Sequence, residues 1–94
     1  MERNCDAMKR ALLILRFLRQ EPADKTTLIH LVRQAMPEAY TEDNEKAQSR
    51  TFERDLENVR HRLGAEVSWE PGLRQYMLQD PGSFVQAALP GEAL

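Results

Sequence analysis

Between Glu45 and Leu63 the apolar residues Phe52, Leu56, Val59 and Leu63 recur at intervals of three or four. On a helix turning ~100° per residue they form one narrow stripe. Gly64 is the expected stop. This spacing predicts a helix over about 45–63 whose stripe faces a core. Its opposite side then carries Arg50, Thr51, Arg54, Asn58 and His61, with Glu57 at the border. Ahead of it lie two more helical patterns. Over 6–20, Met8, Ala11, Leu12, Leu15 and Leu18 share a broad face, and Leu13, Ile14 and Phe17 widen the apolar arc. Such an arc predicts a central core helix, with Leu13 and Phe17 as candidate dimer contacts. Glu21-Pro22-Ala23-Asp24 turns the chain. Asp24 or Thr26 is placed to cap a second helix, Thr27 to about Met36, with a seam of Leu28, Leu31, Val32 and Ala35. His30 sits beside that seam and reads as a surface or half-buried residue rather than a ligand.

Pro37 ends the second helix, and a polar loop from Glu38 to about Asn44 follows. That loop is longer than the three or four residues of a compact helix-turn-helix. After Gly64 the period changes to two. Glu66-Val67-Ser68-Trp69 and, less cleanly, Gln75-Tyr76-Met77-Leu78 alternate around the turn-forming Glu70-Pro71-Gly72-Leu73-Arg74. A two-stranded hairpin is expected, with Trp69 and Tyr76 packing it on the helices. Asp80-Pro81-Gly82 breaks the second strand, and Ser83 is placed to cap a short helix from Phe84 to Leu89. The pattern therefore predicts a mainly α winged helix-turn-helix, three helices plus a two-stranded wing, over residues 1–80. Residues 81–94 form a tail, a short helix or a dimerisation segment in which Phe84 is the candidate contact.

Composition narrows the function classes. The 94 residues suit one domain. Net charge is −2, which by itself does not suggest a nucleic-acid partner. The distribution is more informative. Residues 1–20 hold five Lys/Arg against two Asp/Glu, and residues 44–62 hold five against four. Residues 21–43 and 63–94 are each acidic by three. Local field governs phosphate contact, and the cations gather on the first and third helices. The lone Cys5 forms no internal disulfide and reads as a reduced intracellular thiol, which places the chain in the cytoplasm. No apolar run reaches the ~18 residues of a membrane span. No metal-ligand cluster, phosphate-cradling glycine loop or nucleophile–base pair is present, so no catalysis, cofactor or metal is expected.

The third helix is the candidate reading head for duplex DNA. Arg pairs bidentately with guanine and Asn with adenine in the major groove, while Thr and Arg also hold phosphates. Arg50, Thr51, Arg54, Asn58 and His61 form its outer face, and Gln48 and Ser49 open the same surface. Arg74 at the hairpin tip is placed to reach a phosphate or the minor groove. Asp55 lies near the core edge and is expected to bond a backbone amide or an arginine such as Arg10 or Arg33.

The stretch Arg50-Thr51-Phe52-Glu53-Arg54-Asp55-Leu56-Glu57-Asn58-Val59-Arg60, followed by Leu63-Gly64-Ala65-Glu66-Val67 and Gln75-Tyr76-Met77-Leu78, resembles the N-terminal winged helix of WYL-domain transcriptional regulators, and more broadly the DeoR-type group. Arg10 to Leu18 is similar to the first helix of that family, and the likeness spans about residues 8–79. The resemblance implies sequence-specific binding to double-stranded DNA as a homodimer on an inverted repeat, with repression by occupancy. It places Arg50, Thr51 and Arg54 in the DNA-contacting stretch. The chain departs from the pattern at Gln75, where the family carries glycine before the tyrosine. It also carries no WYL domain, so ligand response and the dimer contacts of that domain are not implied. A stand-alone winged helix and a fragment of a longer regulator both fit. A winged helix used for protein contact without DNA is the alternative, favoured by the acidic balance and the broad apolar first helix.

Overall fold

The computed structural model describes residues 4–82, and the tail with its expected helix and Phe84 lies outside them. Helix α1 spans Asn4–Gln20, α2 Lys25–Ala35 and α3 Glu45–His61. Strands β1 (Glu66–Glu70) and β2 (Gln75–Asp80) pair antiparallel. The layout is a winged helix, three helices with one hairpin.

Two side chains set helix starts. Asp24 accepts the Thr27 amide at 2.8 Å, and Asn44 accepts the Ala47 amide at 2.8 Å. Each satisfies a donor that the first turn leaves without a helical acceptor. Helix α2 thus begins two residues earlier than the Thr27 expected from the sequence. Helix α3 ends at His61, two residues before the expected Leu63. Its last carbonyls are closed by the amides of Arg62 and Leu63 on Asn58 O (2.8 and 3.1 Å) and of Ala65 on Val59 O (3.1 Å). Gly64 follows at φ 71°, a conformation glycine adopts without a Cβ penalty.

The core is built from Ala11, Ile14, Leu15 and Leu18 of α1, Leu28 and Val32 of α2, and Phe52, Leu56 and Val59 of α3, with Leu63 after α3 and Val67 and Tyr76 of the wing. Three expectations change. Ile14, expected to widen the apolar arc, is fully buried, whereas Leu12, expected on the core face, is only partly covered, as are Leu13 and Phe17. On α2, Ala35 is exposed and Leu31 half-buried, while Ile29 packs against the core edge. The loop before α3 is not simply polar, because Met36, Ala39 and Tyr40 enter the core. Tyr40 does so at φ 54°.

Phe52 is the hub. Its ring lies 6.4 Å from Tyr40 and 6.0 Å from Tyr76, and Tyr76 meets Trp69 edge-on at 5.0 Å. The wing is fixed to the helices by backbone as well. Ala23 and Tyr76 exchange both amide–carbonyl bonds (3.2 and 2.8 Å), so the turn between α1 and α2 adds a bridge to the edge of β2. Arg60 donates from Nε and Nη2 to Val67 O (3.3 and 3.2 Å), tying α3 to β1. The hairpin meets the helices through β2, where Tyr76, directly opposite Trp69, is buried. Val67 is buried at its base, but Trp69, on the same face two residues further out, is 47% exposed, contrary to the packing expected of it.

Candidate nucleic-acid interface

What orients α3 is a buried polar cluster. Asp55, 1% exposed, accepts Arg10 Nε at 2.7 Å, Arg10 Nη2 at 3.1 Å and the Tyr40 hydroxyl at 2.6 Å. The Arg10 guanidinium also lies 5.7 Å from the Tyr40 ring centre. A fork-to-carboxylate pair of this kind is geometrically strict. It ties the rotation of α3 to α1. Burial, then the Asp55 carboxylate it bonds, pushes the Tyr40 phenol pKa up, so Tyr40 remains a donor. Of the partners expected for Asp55, Arg10 is the one used. Tyr40 was not legible as a partner.

With Asp55 turned inward, the exposed residues of α3 after its first turn are Arg50, Glu53, Arg54, Glu57 and His61. This face is rotated from the expected one toward Glu53. Thr51 and Asn58 are half-buried on the opposite flank, where Thr51 meets the preceding loop. Thr51 donates its hydroxyl to Glu42, and Gln48 Nε2 donates to the Glu42 carbonyl at 2.9 Å. Ser49, also half-buried, accepts Lys25 Nζ at 2.7 Å. Gln48, Ser49 and Thr51 therefore each hold an internal bond beside the exposed face rather than stand free upon it.

The cations divide clearly. Arg50 and Arg54 are exposed and form no ion pair among the described residues. His61 Nε2 lies 2.9 Å from Glu57 Oε1, and Arg60 Nη1 lies 3.1 Å from Glu57 Oε2. Arg74 is exposed at the end of the wing turn, where its φ of 56° carries the chain back into β2. Its amide and that of Leu73 both bond Glu70 O, at 2.7 and 3.1 Å.

A cleft separates the wing from the start of α2, lined by Asp24, Lys25, Thr26, Trp69, Arg74 and Tyr76. Lys25 reaches from it to α3, 3.0 Å from Glu53 Oε2, and the Tyr76 hydroxyl makes a longer 3.5 Å bond to the same oxygen. Burial, then Glu53, raises the Tyr76 pKa. Lys25, Glu53 and the exposed wing residue Leu73 were not among the contacts expected from the sequence, and the exposed Trp69 was expected to pack on the helices. The polar residues that open α2 were a usable signal for Lys25, because a helix start packed beside α3 shares its surface.

Among the described residues no group of three or more His, Cys, Asp or Glu is arranged to hold a metal. No described helix is long and apolar enough to cross a membrane. Comparison of the chain with protein-family models, curated proteins and solved structures finds no match.

Proposed function

We propose that the chain is a sequence-specific, double-stranded DNA-binding transcriptional regulator that represses as a homodimer on an inverted repeat. Helix α3 enters the major groove and the hairpin lies along the flanking backbone. The observation that carries this reading is the state of Arg50 and Arg54, exposed one turn apart on the outward face of α3 with no ion pair among the described residues. Such guanidiniums are free to fork onto guanine or hold phosphate. Arg74 at the wing tip supplies a third cation on the same side as the cleft beside α2. One such module makes a small interface, so pairing two copies raises affinity, with half-sites about one helical turn apart. Leu13 and Phe17, partly uncovered on α1, are the dimer contacts in this reading. A dimer seated over a promoter excludes polymerase.

Fluorescence anisotropy on a random duplex at several salt concentrations tests it. Affinity falls as salt rises, and each arginine that holds a phosphate contributes about 0.9 to the log–log slope. Arg50→Ala and Arg54→Ala each weaken binding. A parent that fails to bind duplex at low salt, or two variants that bind as the parent does, refutes the reading.

A second reading rests on the wing. Trp69 and Leu73 are 47% and 60% exposed, and the chain carries a net charge of −2. Both suit a module that docks on another protein without touching DNA. A stable heteromeric complex in pull-downs from the native host, with no duplex affinity at low salt, would establish it instead.

A further inference from the structure

An exposed carboxylate between two arginines needs a physical account on a face offered to phosphates. Glu53 lies one turn after Arg50 and next to Arg54, 50% exposed, yet it pairs with neither. One of its oxygens, Oε2, is held from outside the helix by Lys25 Nζ of α2 at 3.0 Å and the Tyr76 hydroxyl of β2 at 3.5 Å. Its other oxygen has no hydrogen-bond partner among the described residues. Lys25 is itself steadied by Ser49 Oγ at 2.7 Å. Glu57, the other exposed carboxylate on the face, is different. Both its oxygens are taken by its own helix, through Arg60 and His61.

Resting on the DNA reading above, we propose that Glu53 is a specificity-determining residue whose free carboxylate oxygen accepts the N4 amino group of cytosine in the major groove. Two physical points favour cytosine. Thymine presents the O4 acceptor where cytosine presents its donor, so a carboxylate there meets a lone pair. Adenine offers its N6 donor beside the N7 acceptor, which faces the same anion. Lys25 plays the positioning part. It offsets the negative charge at short range, so the field toward the phosphates stays that of Arg50 and Arg54, and with Tyr76 it holds the side chain from one edge while the other edge stays open. In this reading the three residues divide by role. Arg50 and Arg54 supply attraction and guanine contacts, and Glu53 rejects sequences.

This assignment has a signature that a merely structural residue lacks. Removing the charge in Glu53→Gln preserves size and the Lys25 contact, lowers discrimination, and leaves binding to random duplex as tight or tighter. The experiment is selection of bound sites from a randomised duplex pool by the full chain and by Glu53→Gln, with circular dichroism confirming equal folding. The parent is expected to select C·G at one position in each half-site. The variant is expected to lose that preference by about fivefold or more, or to move it to A·T, the pair that glutamine reads, with the other positions unchanged. Identical base preferences for both proteins overturn the proposal while leaving DNA binding intact, as does a uniform weakening across all sequences. A parent that binds no duplex at all overturns this proposal and the DNA reading together.

Discussion

Removing Asp55 tests whether the buried polar cluster sets the pose of α3. Asp55 takes three hydrogen bonds, two from the Arg10 fork and one from Tyr40, in a place where it is 1% and Arg10 7% exposed. Taken singly, bonds to a charged group contribute about 1.5–3 kcal/mol each, but they share one carboxylate and do not add. The better guide is the breaking of a buried ion pair, which costs about 3–5 kcal/mol because the remaining charge stays in a low-dielectric site. Asp55→Ala is therefore expected to lose that amount. For a domain of this length each kcal/mol moves Tm by about 4–8 °C, so the melting temperature should fall by about 12 °C or more. Tyr40→Phe removes donor and demand together and should cost only about 1–2 kcal/mol. The triple variant Arg10→Met, Tyr40→Phe, Asp55→Leu replaces the cluster by apolar side chains. It should recover most of the loss, since such replacement is often neutral. Thermal melts followed by far-ultraviolet circular dichroism read all three. A loss below about 1 kcal/mol for Asp55→Ala, or a triple variant as unstable as the single, refutes the argument that the cluster is a mutually dependent lock.

Three further outcomes follow from particular residues. Asp24→Ala removes the α2 cap and should cost about 1 kcal/mol in chemical denaturation. The Thr27 backbone amide, then the Thr27 hydroxyl, holds the Asp24 carboxyl below its usual pKa, so this contribution is present above the ordinary carboxylate range and fades as pH falls through the depressed value; the parent and Asp24→Ala should therefore converge in stability only in strong acid. Gly82→Ala should be the more damaging of two glycine changes. A Cβ there meets Leu63 O at 2.5 Å and Gly64 C at 2.9 Å with φ at 89°, whereas Gly64, at φ 71°, has nothing within 4 Å, so its alanine pays only the left-handed penalty of about 1–2 kcal/mol. Melts that rank Gly64→Ala below Gly82→Ala contradict this. Arg74→Gly should move stability and affinity in opposite directions. It relieves a left-handed non-glycine residue, a gain of about 1 kcal/mol in a thermal melt, and removes the wing cation, weakening duplex binding in anisotropy. Equal affinity would remove Arg74 from the interface.

The helices and the hairpin were legible because their signals are local. Phe52, Leu56, Val59 and Leu63 mark one side of a helix by spacing alone, and all four are buried. Gly64 through its backbone conformation and Asp24 through its capping side chain mark boundaries by chemistry that needs no distant neighbour. The change of period after Gly64, with Pro71-Gly72 between two alternating runs, announced the wing. Arg50, Arg54, His61 and Arg74 were expected on the surface, and each is exposed there.

What only the tertiary structure decided is the phase of α3 and the occupancy of its flanks. Periodicity gives the centre of a buried stripe, not how far neighbours climb on either side. The loop carrying Glu42 covers Thr51, while the wing and the start of α2 leave Glu53 exposed beside Lys25. Asp55 meets Arg10 across 45 residues and Tyr40 across 15, contacts that no window along the chain contains. Trp69 shows the same limit. Alternation assigns it a face, but the helices close on β2, so its partner Tyr76 is buried while Trp69 on the outer strand meets solvent. Local chemistry writes the elements of this protein, and the packing of distant segments selects which of its charged groups stand exposed and unpaired among the described residues.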